Sequence, residues 1–482
     1  MPGRVSRRVF LLLLSAILIH PFTFGQQPVK QGQGSTTAIP NTPAGKTLQA
    51  WLEALNSGDR AKIEDYIHRF DPDMTAESMI AFRDETGGVD LIAIDSSEPL
   101  LIAFRVEDRK TATVGIGTLQ VKDAQTAAVE SFSVKRAAQK GPPLTEKEAI
   151  SEIQELTTSL IKKDSFSGAL LIARGETTLL EMAGGEANKS DHVLNNIDTK
   201  FNLGSMNKMF TATAIAHLVE LGKISYDDPI SKYIDESWLP KEITEKITIR
   251  QLITHTSGLG SFFNETFDRS SRALYRKLDD YKPLIKDEKL AFTPGERFQY
   301  SNTGMFLLGV VIEKATGEDY FDYIRRTIYA PAGMANTDCY EMDYPVENLA
   351  IGYSPDPKSP YRWQNNLYKH VVKGSPAGGG FSTVRDLHKF ALALQAGKFV
   401  SPDTLKMLWT DYKGGRYGYG FEVDETDAGK VVGHGGGFAG INSHLNIYPD
   451  SGYIVAVMSN YDNGAGPLAR RIDEILARVK SH

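Results

Sequence analysis

The chain has 482 residues, of which 41% are hydrophobic and 24% charged, so it is ordinary globular material with room for more than one hydrophobic core. Its formal net charge of -6 offers no basic surface for nucleic acid, and we expect no nucleic-acid partner. The only cysteine, Cys339, excludes an internal disulfide, so the hydrophobic core must hold the fold together.

The first 25 residues have the pattern of a signal peptide. Three arginines precede an apolar run over Val9–Ile19, and small residues follow it ahead of Gln26. An uncleaved membrane anchor is the alternative, but the run is shorter than the roughly 20 residues that span a bilayer. Arg7 and Arg8 also resemble a twin-arginine address, which leaves the export route open between that system and general secretion. We predict a periplasmic or secreted protein with no stable membrane anchor.

Residues 26–45 and 46–136 differ sharply in composition. The first segment is rich in Gln, Gly, Ser, Thr and Pro with almost no large apolar residues, as expected of a flexible linker. The second begins with two apolar helical faces, around Trp51 and Tyr66, and continues with four strand-like runs. Helices followed by antiparallel strands predict a small α+β domain.

The segment Trp51–Asp59 also resembles a known family. It is similar to the opening of the cone-shaped fold of nuclear transport factor 2-like (SnoaL-like) proteins, which implies a cone domain over 46–136. Such cones often hold a pocket, but we find no acid–base constellation in this segment. We therefore expect an accessory role, in shaping access to a catalytic domain or in association, rather than a second enzyme.

A larger domain is predicted over residues 144–482. Thr145 and Glu148 have the spacing of a capping box, which marks the start of its first helix. That helix leads into a predicted hairpin with strands at 168–173 and 177–182.

Ser205 stands three residues before Lys208 at the start of a strongly helical, apolar-faced stretch. Residues three apart share a helix face, so the Lys208 amine can reach the Ser205 hydroxyl and serve as its base. A hydroxyl at a helix N-terminus also lies beside free backbone N–H groups, which suit a developing oxyanion. The pair predicts acyl transfer, although a Ser-x-x-Lys tetrad alone is too common to identify a site.

Tyr300 and Asn302 form a second element, in a polar segment ahead of the helical run Met305–Thr316. The tyrosine can act as a general base on a serine or return a proton to a leaving group, and the asparagine can hydrogen-bond a substrate amide. An aromatic anchor followed by a helix cap is the alternative interpretation of the same residues.

Residues 433–437 form a third element, a glycine-rich segment that contains His434. Glycines beside a strand let a substrate backbone approach the sheet edge, and the free N–H of Gly437 is a candidate oxyanion donor. Strand-like runs follow at 441–448 and 453–458. A glycine-rich hairpin turn is the alternative.

Taken together and in this order, the three elements resemble the serine β-lactamase and penicillin-binding-protein-like superfamily, most closely its class C β-lactamase and esterase branch. Three further phrases strengthen the resemblance: Phe201–Phe210, Leu252–Leu259 and Ala377–Thr383. The implied fold is an α+β, β-lactamase-like domain, in which an antiparallel sheet is flanked by helices and joined by a helical region. The active site is expected between the sheet and that helical region.

The resemblance also implies roles for the site residues. Ser205 is acylated, Lys208 and Tyr300 share the proton transfers, and the amides of Ser205 and Gly437 form the oxyanion hole. The Tyr-x-Asn element distinguishes this arrangement from class A enzymes, where a separate glutamate activates the deacylating water. Asn302 is expected to bind the substrate.

One departure from the family pattern bears on the substrate. Penicillin-recognising members carry Lys-Thr-Gly where this chain has His434, Gly435 and Gly436, which provide a weaker, pH-dependent cation and no hydroxyl. We therefore favour an exported serine hydrolase that acts on a small-molecule or peptide substrate through an ester, amide or D-amino-acid peptide bond. The alternatives are a β-lactamase and a non-catalytic cell-wall sensor or binding protein.

The sequence lacks the motifs that are typical of other enzyme classes. No Gly-x-Ser-x-Gly elbow of an α/β-hydrolase is present, the histidines are scattered without metal-ligand spacing, and the glycines at 378–380 do not continue as a phosphate loop. We expect no metal and no cofactor. His255 and His388 are interpreted as hydrogen-bonded structural histidines. Self-association is not predicted either way.

Overall fold

A computed structural model describes residues 38–110, 113–137, 141–356, 359 and 361–480. The predicted signal peptide and most of the predicted linker lie outside the described residues. The chain divides into two compact units, 1–139 and 140–482.

The first unit places three helices before a four-stranded sheet. Its elements are α1 (Pro43–Ser57), α2 (Arg60–Phe70), α3 (Ala76–Thr86), β1 (Val89–Ser97), β2 (Leu101–Asp108), β3 (Val114–Val121) and β4 (Val129–Arg136). The strands pair in the order β1-β2-β3-β4, each antiparallel to the next. Trp51 of α1 packs against Phe132 with ring centroids 4.9 Å apart, and against Phe104 at 6.2 Å. The unit is α+β, as the sequence predicted.

The start of α1 corrects the predicted end of the linker. We placed the flexible segment up to residue 45, whereas the helix begins at Pro43. The Thr42 side chain accepts a hydrogen bond from the Gly45 N–H, and proline tolerates the first helical position because its missing N–H would be unpaired there. Thr42, Pro43 and Gly45 are residue types that are also common in flexible linkers, so the sequence alone placed the end of the linker too far along the chain.

The second unit is built on one antiparallel sheet. Its helices and strands, in chain order, are α4 (Glu146–Lys162), β5 (Gly168–Arg174), β6 (Thr177–Gly184), β7 (Glu186–Asn188), β8 (Val193–Leu194), β9 (Phe201–Asn202), α5 (Asn207–Glu220), α6 (Lys241–Thr244), α7 (Ile249–Ile253), α8 (Glu265–Arg269), α9 (Lys282–Ile285), α10 (Asn302–Thr316), α11 (Tyr320–Ile324), α12 (Ala330–Ala332), β10 (Tyr353–Pro355), β11 (Trp363–Asn365), β12 (Phe381–Ser382), α13 (Val384–Gln395), α14 (Pro402–Leu408), β13 (Glu422–Thr426), β14 (Gly429–Phe438), β15 (Ile441–Ile447), β16 (Tyr453–Ser459) and α15 (Ala465–Leu476). The six strands of the main sheet follow the order β13-β14-β15-β16-β5-β6.

The two faces of this sheet carry separate cores. Side chains alternate across a strand, so Leu170 and Ile172 of β5 pack with α4 and α15, whereas Leu171 packs on the opposite face with the helical region. Thr145 and Glu148 form the predicted capping box at the start of α4. This arrangement matches the β-lactamase-like fold expected from the sequence.

Helices α5 and α10 form the centre of the helical region. Both are buried along most of their length, and α5 buries polar residues such as Asn207 and Lys208 together with its apolar ones. The N-terminal ends of both helices carry predicted site residues. None of the helices in the described part of the chain is both long and apolar enough to cross a membrane.

Candidate active site

Ser205 lies in a tight 3-10 turn, Gly204–Met206, that leads directly into α5. Backbone contacts hold this turn on both sides. The Gly379 N–H donates to the Gly204 carbonyl at 3.1 Å, and the Ser443 hydroxyl of β15 donates to the Leu203 carbonyl at 2.6 Å. The turn is therefore fixed between the sheet and the glycine-rich loop Ser375–Gly380.

Lys208 is the most unusual group in the site, since it is a lysine with no exposed surface. Its Nζ lies 2.9 Å from Ser205 Oγ and 3.0 Å from Asn302 Oδ1, and it also donates to the Ala377 carbonyl. Burial lowers the pKa of Lys208 to about 7, although the negative charge of Glu422 acts in the opposite direction. Near neutral pH a large share of this amine is uncharged.

The three partners of Lys208 fit the uncharged amine. A neutral amine has two N–H bonds and one lone pair. The Ala377 carbonyl and Asn302 Oδ1 accept hydrogen bonds, which uses both N–H groups. The Ser205 hydroxyl, 2.9 Å away, is then free to donate to the lone pair. This is the hydrogen bond that a base needs with a serine nucleophile.

Tyr300 and Asn302 reach the site from the N-terminal end of α10. Ser301 caps this helix, accepting from the Gly304 N–H at 2.8 Å, and its own N–H donates to His255 Nδ1 at 3.1 Å. The Lys208 Nζ lies 4.9 Å from the Tyr300 ring centroid. Although 38% of Tyr300 is exposed, desolvation raises the pKa of its phenol, while its hydrogen bond with Ser205 opposes that rise. At neutral pH Tyr300 is therefore a proton-bearing group beside the nucleophile.

Gly436 and Gly437 line the edge of β14 that faces the Ser205 turn. Strand β13 pairs with β14 only as far as Gly433, so the edge beyond it is open. The Gly435 N–H donates across this open edge to Glu422 Oε2 at 3.2 Å. Since alternate residues of a strand point their N–H groups the same way, the Gly437 N–H also points to the open edge. A Cβ on Gly204 would lie 2.9 Å from that nitrogen, so the two backbones are adjacent.

His434 differs from our expectation of a pH-dependent cation. The residue is 2% exposed, and burial together with the nearby Lys208 charge lowers its pKa to about 3. Its Nε2 lies 3.0 Å from the Tyr417 hydroxyl, and its Nδ1 contacts the Gly435 carbonyl. Both ring nitrogens therefore have hydrogen-bond partners when the ring is neutral. His434 packs beneath the site and does not present a charge to a substrate.

Several contributors to the site were missed in the sequence. The Ala377 carbonyl fixes Lys208, Glu422 modulates its charge, and Tyr417 orients His434. The glycines at 378–380 were used in the sequence analysis only as part of the Ala377–Thr383 phrase, without a role in the site. Their number was a usable signal, because a Cβ on Gly378 would lie 2.8 Å from the Gly204 carbonyl oxygen, a closeness that only glycine permits.

His255 and His388 each make a hydrogen bond, as expected of structural histidines. His255 is fully buried, accepts from the Ser301 N–H, and lies 4.3 Å from the Tyr300 ring. His388 is buried in α13, and its Nε2 lies 2.8 Å from the Gly175 carbonyl. The first of them nevertheless contributes to the site, because it holds the segment that carries Tyr300.

Known proteins share this architecture. Residues 150–480 match the protein family described as Beta-lactamase. Penicillin-binding protein 4* of Bacillus subtilis (strain 168) is 30% identical over 325 residues, which make up 64% of this chain and 71% of that protein. The crystal structure of a penicillin binding protein from Bacillus halodurans matches this fold with a TM-score of 0.60. The match covers 68% of this chain and 99% of that one, and the two sequences are 30% identical. A D-stereospecific amidohydrolase from Streptomyces sp. is 26% identical, with a TM-score of 0.56 over 68% of this chain and 98% of that one. With the match covering well over half of its length, the chain belongs to the beta-lactamase family of serine-dependent acyl-transferring proteins.

Proposed function

We propose that this protein is an exported serine hydrolase that forms an acyl-enzyme on Ser205 and cleaves ester, amide or D-amino-acid peptide bonds. One observation carries the proposal: the Ser205 hydroxyl lies 2.9 Å from a buried lysine amine whose pKa is lowered to about 7. An uncharged amine at that distance accepts the proton that the hydroxyl must lose before it attacks a carbonyl carbon.

Acylation follows from this arrangement. Ser205 Oγ forms a bond to the substrate carbonyl carbon while its proton moves to Lys208 Nζ. The carbonyl π electrons move to oxygen, and the backbone N–H groups of Ser205 and Gly437 stabilise the resulting oxyanion. When the carbonyl re-forms, the bond to the leaving group breaks, and the leaving group takes a proton from Tyr300 or Lys208. Asn302 holds the substrate amide.

Deacylation uses the same groups. Water attacks the ester carbon of the acylated Ser205, and its proton passes to Lys208 or Tyr300. The tetrahedral species then expels Ser205 Oγ, which recovers a proton, and the acid product leaves. The pair Tyr300 and Asn302 favours the class C and esterase arrangement over one with a separate glutamate.

The chemistry of the cavity favours neutral substrates. The described residues that line the cavity at Ser205 include no lysine, arginine, aspartate or glutamate, and His434 behind it is uncharged. A penicillin carboxylate would have no cation to bind, which argues against β-lactam hydrolysis as the main activity. The similarity to a D-stereospecific amidohydrolase supports an amide substrate.

The remaining parts of the chain have proposed roles of their own. Residues 1–25 act as a signal peptide that directs the protein to the periplasm or outside the cell. Residues 46–136 form a nuclear transport factor 2-like accessory domain. A non-catalytic cell-wall sensor is the alternative function. It is less favoured because Ser205, Lys208 and Tyr300, the groups that catalysis would need, are all present.

The test is covalent labelling with a fluorophosphonate probe. We expect the wild-type protein and the exposed control Ser237→Ala to be labelled, and Ser205→Ala to remain unlabelled. Labelling of the Ser205→Ala variant would contradict the proposal. Turnover of a short-chain nitrophenyl ester, a chromogenic cephalosporin and a D-alanyl peptide then identifies the bond, and acylation without product release would indicate a sensor.

A further inference from the structure

Two phenylalanine rings that contact each other line the cavity that contains Ser205. Phe263 is 44% exposed and Phe438 is 39% exposed, although both are large apolar side chains. Their centroids are 5.8 Å apart and their planes differ by 25°, so the rings are stacked. We call this pair the aromatic clamp. Apolar surface of this kind beside a nucleophile is where a substrate group can be buried.

The clamp comes from the two sides of the active site. Phe438 ends β14 and directly follows Gly437, the candidate oxyanion donor. Phe263 belongs to the loop after α7, where the Ser261 hydroxyl accepts a hydrogen bond from Asn302 Nδ2 at 3.2 Å. Each ring is therefore anchored next to a group that the reaction uses. Whatever fills the space beside the clamp lies close to the reacting carbonyl.

The wall behind the clamp is also aromatic. Phe263 packs against Phe262 at 4.5 Å and against Phe267 at 5.0 Å, and Tyr281 lines the same cavity. The cavity has a volume of about 280 Å³. His370 is the only titratable side chain besides Tyr281 among its described lining residues, and burial lowers the pKa of His370, so it is neutral at pH 7. The space suits a neutral aromatic group.

We infer that the aromatic clamp selects substrates that carry an aryl group on the acyl side of the scissile bond. The inference rests on the proposed function and adds a substrate class to it. The acyl group stays bonded to Ser205 Oγ after the leaving group has departed, so it occupies the cavity through both half-reactions. An aryl ring placed against Phe263 and Phe438 buries apolar surface and makes offset or edge contacts with both rings.

The first test compares two esters with the same leaving group, 4-nitrophenyl phenylacetate and 4-nitrophenyl acetate, on the full-length protein. We expect kcat/KM to favour the phenylacetate by about tenfold or more, since filling an apolar pocket has effects of this size. Phe263→Ala and Phe438→Ala should each reduce that preference several-fold, because the acetate has no ring to place against them. Tyr368→Ala, which removes an aromatic ring that is 90% exposed and does not line the cavity, is the matched control and should leave the preference intact.

A second measurement does not depend on turnover. Calorimetry on Ser205→Ala should detect binding of phenylacetamide but not of acetamide, and adding Phe263→Ala should weaken it. If phenylacetamide binds but the wild-type protein hydrolyses neither ester, the proposed function is wrong while the aryl-binding site is still supported. Hydrolysis with the same preference for the phenylacetate in both clamp variants as in the wild-type protein would overturn the inference.

Discussion

At the scale of single residues, the proposed mechanism makes the reactivity of Ser205 depend on the charge of Lys208. The amine must be uncharged to accept the serine proton, and its pKa is lowered to about 7. We therefore predict that kcat/KM for a neutral ester rises with pH, with an inflection near pH 7, and is lost as the pH falls below it. A pH–rate profile of the wild-type protein measures this.

Glu422 offers a matched variant for that profile. Its negative charge raises the pKa of Lys208 against the effect of burial. Glu422→Gln removes the charge but keeps an oxygen that can accept from the Gly435 N–H, so the inflection should move to lower pH. An inflection that stays in place or moves upward would show that Lys208 is not the titrating base.

The turn at Gly204 allows a second prediction. Its φ of +51° favours glycine, and an added Cβ would lie 2.9 Å from the Gly437 nitrogen. Gly204→Ala should displace this amide from the oxyanion position, and kcat should fall by about 10²-fold or more, as when an oxyanion donor is removed.

Gly222, just past the end of α5, provides the control for backbone strain. It has a φ of +66°, but nothing lies within 4 Å of an added Cβ. Gly222→Ala should lower stability by about 1 kcal/mol while leaving the labelling rate of Ser205 unchanged. Equal losses of activity in both variants would mean that strain, and not the displaced amide, explains the effect.

The groups that we propose to react could be predicted from the sequence, because each lies in a short segment with its own pattern. Ser205 and Lys208 are one helical turn apart, and Tyr300 and Asn302 sit at one helix start. The neutral state of His434 was not accessible, because it depends on Tyr417 and on strand pairing that no local pattern records. The aromatic clamp was missed for the same reason, since Phe263 and Phe438 meet only in the folded protein.

At the scale of elements, one half-buried carboxyl links α15 to β15. Asp473 of the helix accepts hydrogen bonds from the Tyr448 hydroxyl and from Asn446 Nδ2, and burial raises its pKa to about 6 even though both bonds oppose the rise. The folded protein therefore holds this proton more tightly than the unfolded chain does.

The consequence is a pH-dependent stability with a defined sign. Between about pH 4, where an unfolded aspartate titrates, and about pH 6, the folded state binds more protons than the unfolded state, so its stability falls as the pH rises. The loss is at most about 3 kcal/mol for this group. In Asp473→Asn the decline should be smaller than in the wild type or in the exposed control Asp427→Asn. The midpoints of urea unfolding, measured between pH 4 and pH 6, report this decline in stability. The same pH dependence in all three proteins would show that Asp473 does not cause it.

Elements were easier to predict than their arrangement. The hairpin of β5 and β6 and the capping box of α4 follow from local residues. The order of the main sheet does not, because β5 pairs with β16 across nearly 300 residues of sequence.

At the scale of the whole molecule, every group of the candidate site belongs to the unit that starts at residue 140. That unit has its own cores on both faces of its sheet. We predict that a chain of residues 140–482 folds by itself, is labelled at Ser205, and hydrolyses 4-nitrophenyl acetate like the full-length protein. The first unit, as an accessory domain, should alter kcat/KM only for larger peptide substrates or change the association state. Circular dichroism, probe labelling and light scattering test these expectations, and a truncated chain that folds but is not labelled would show that residues before 140 complete the site.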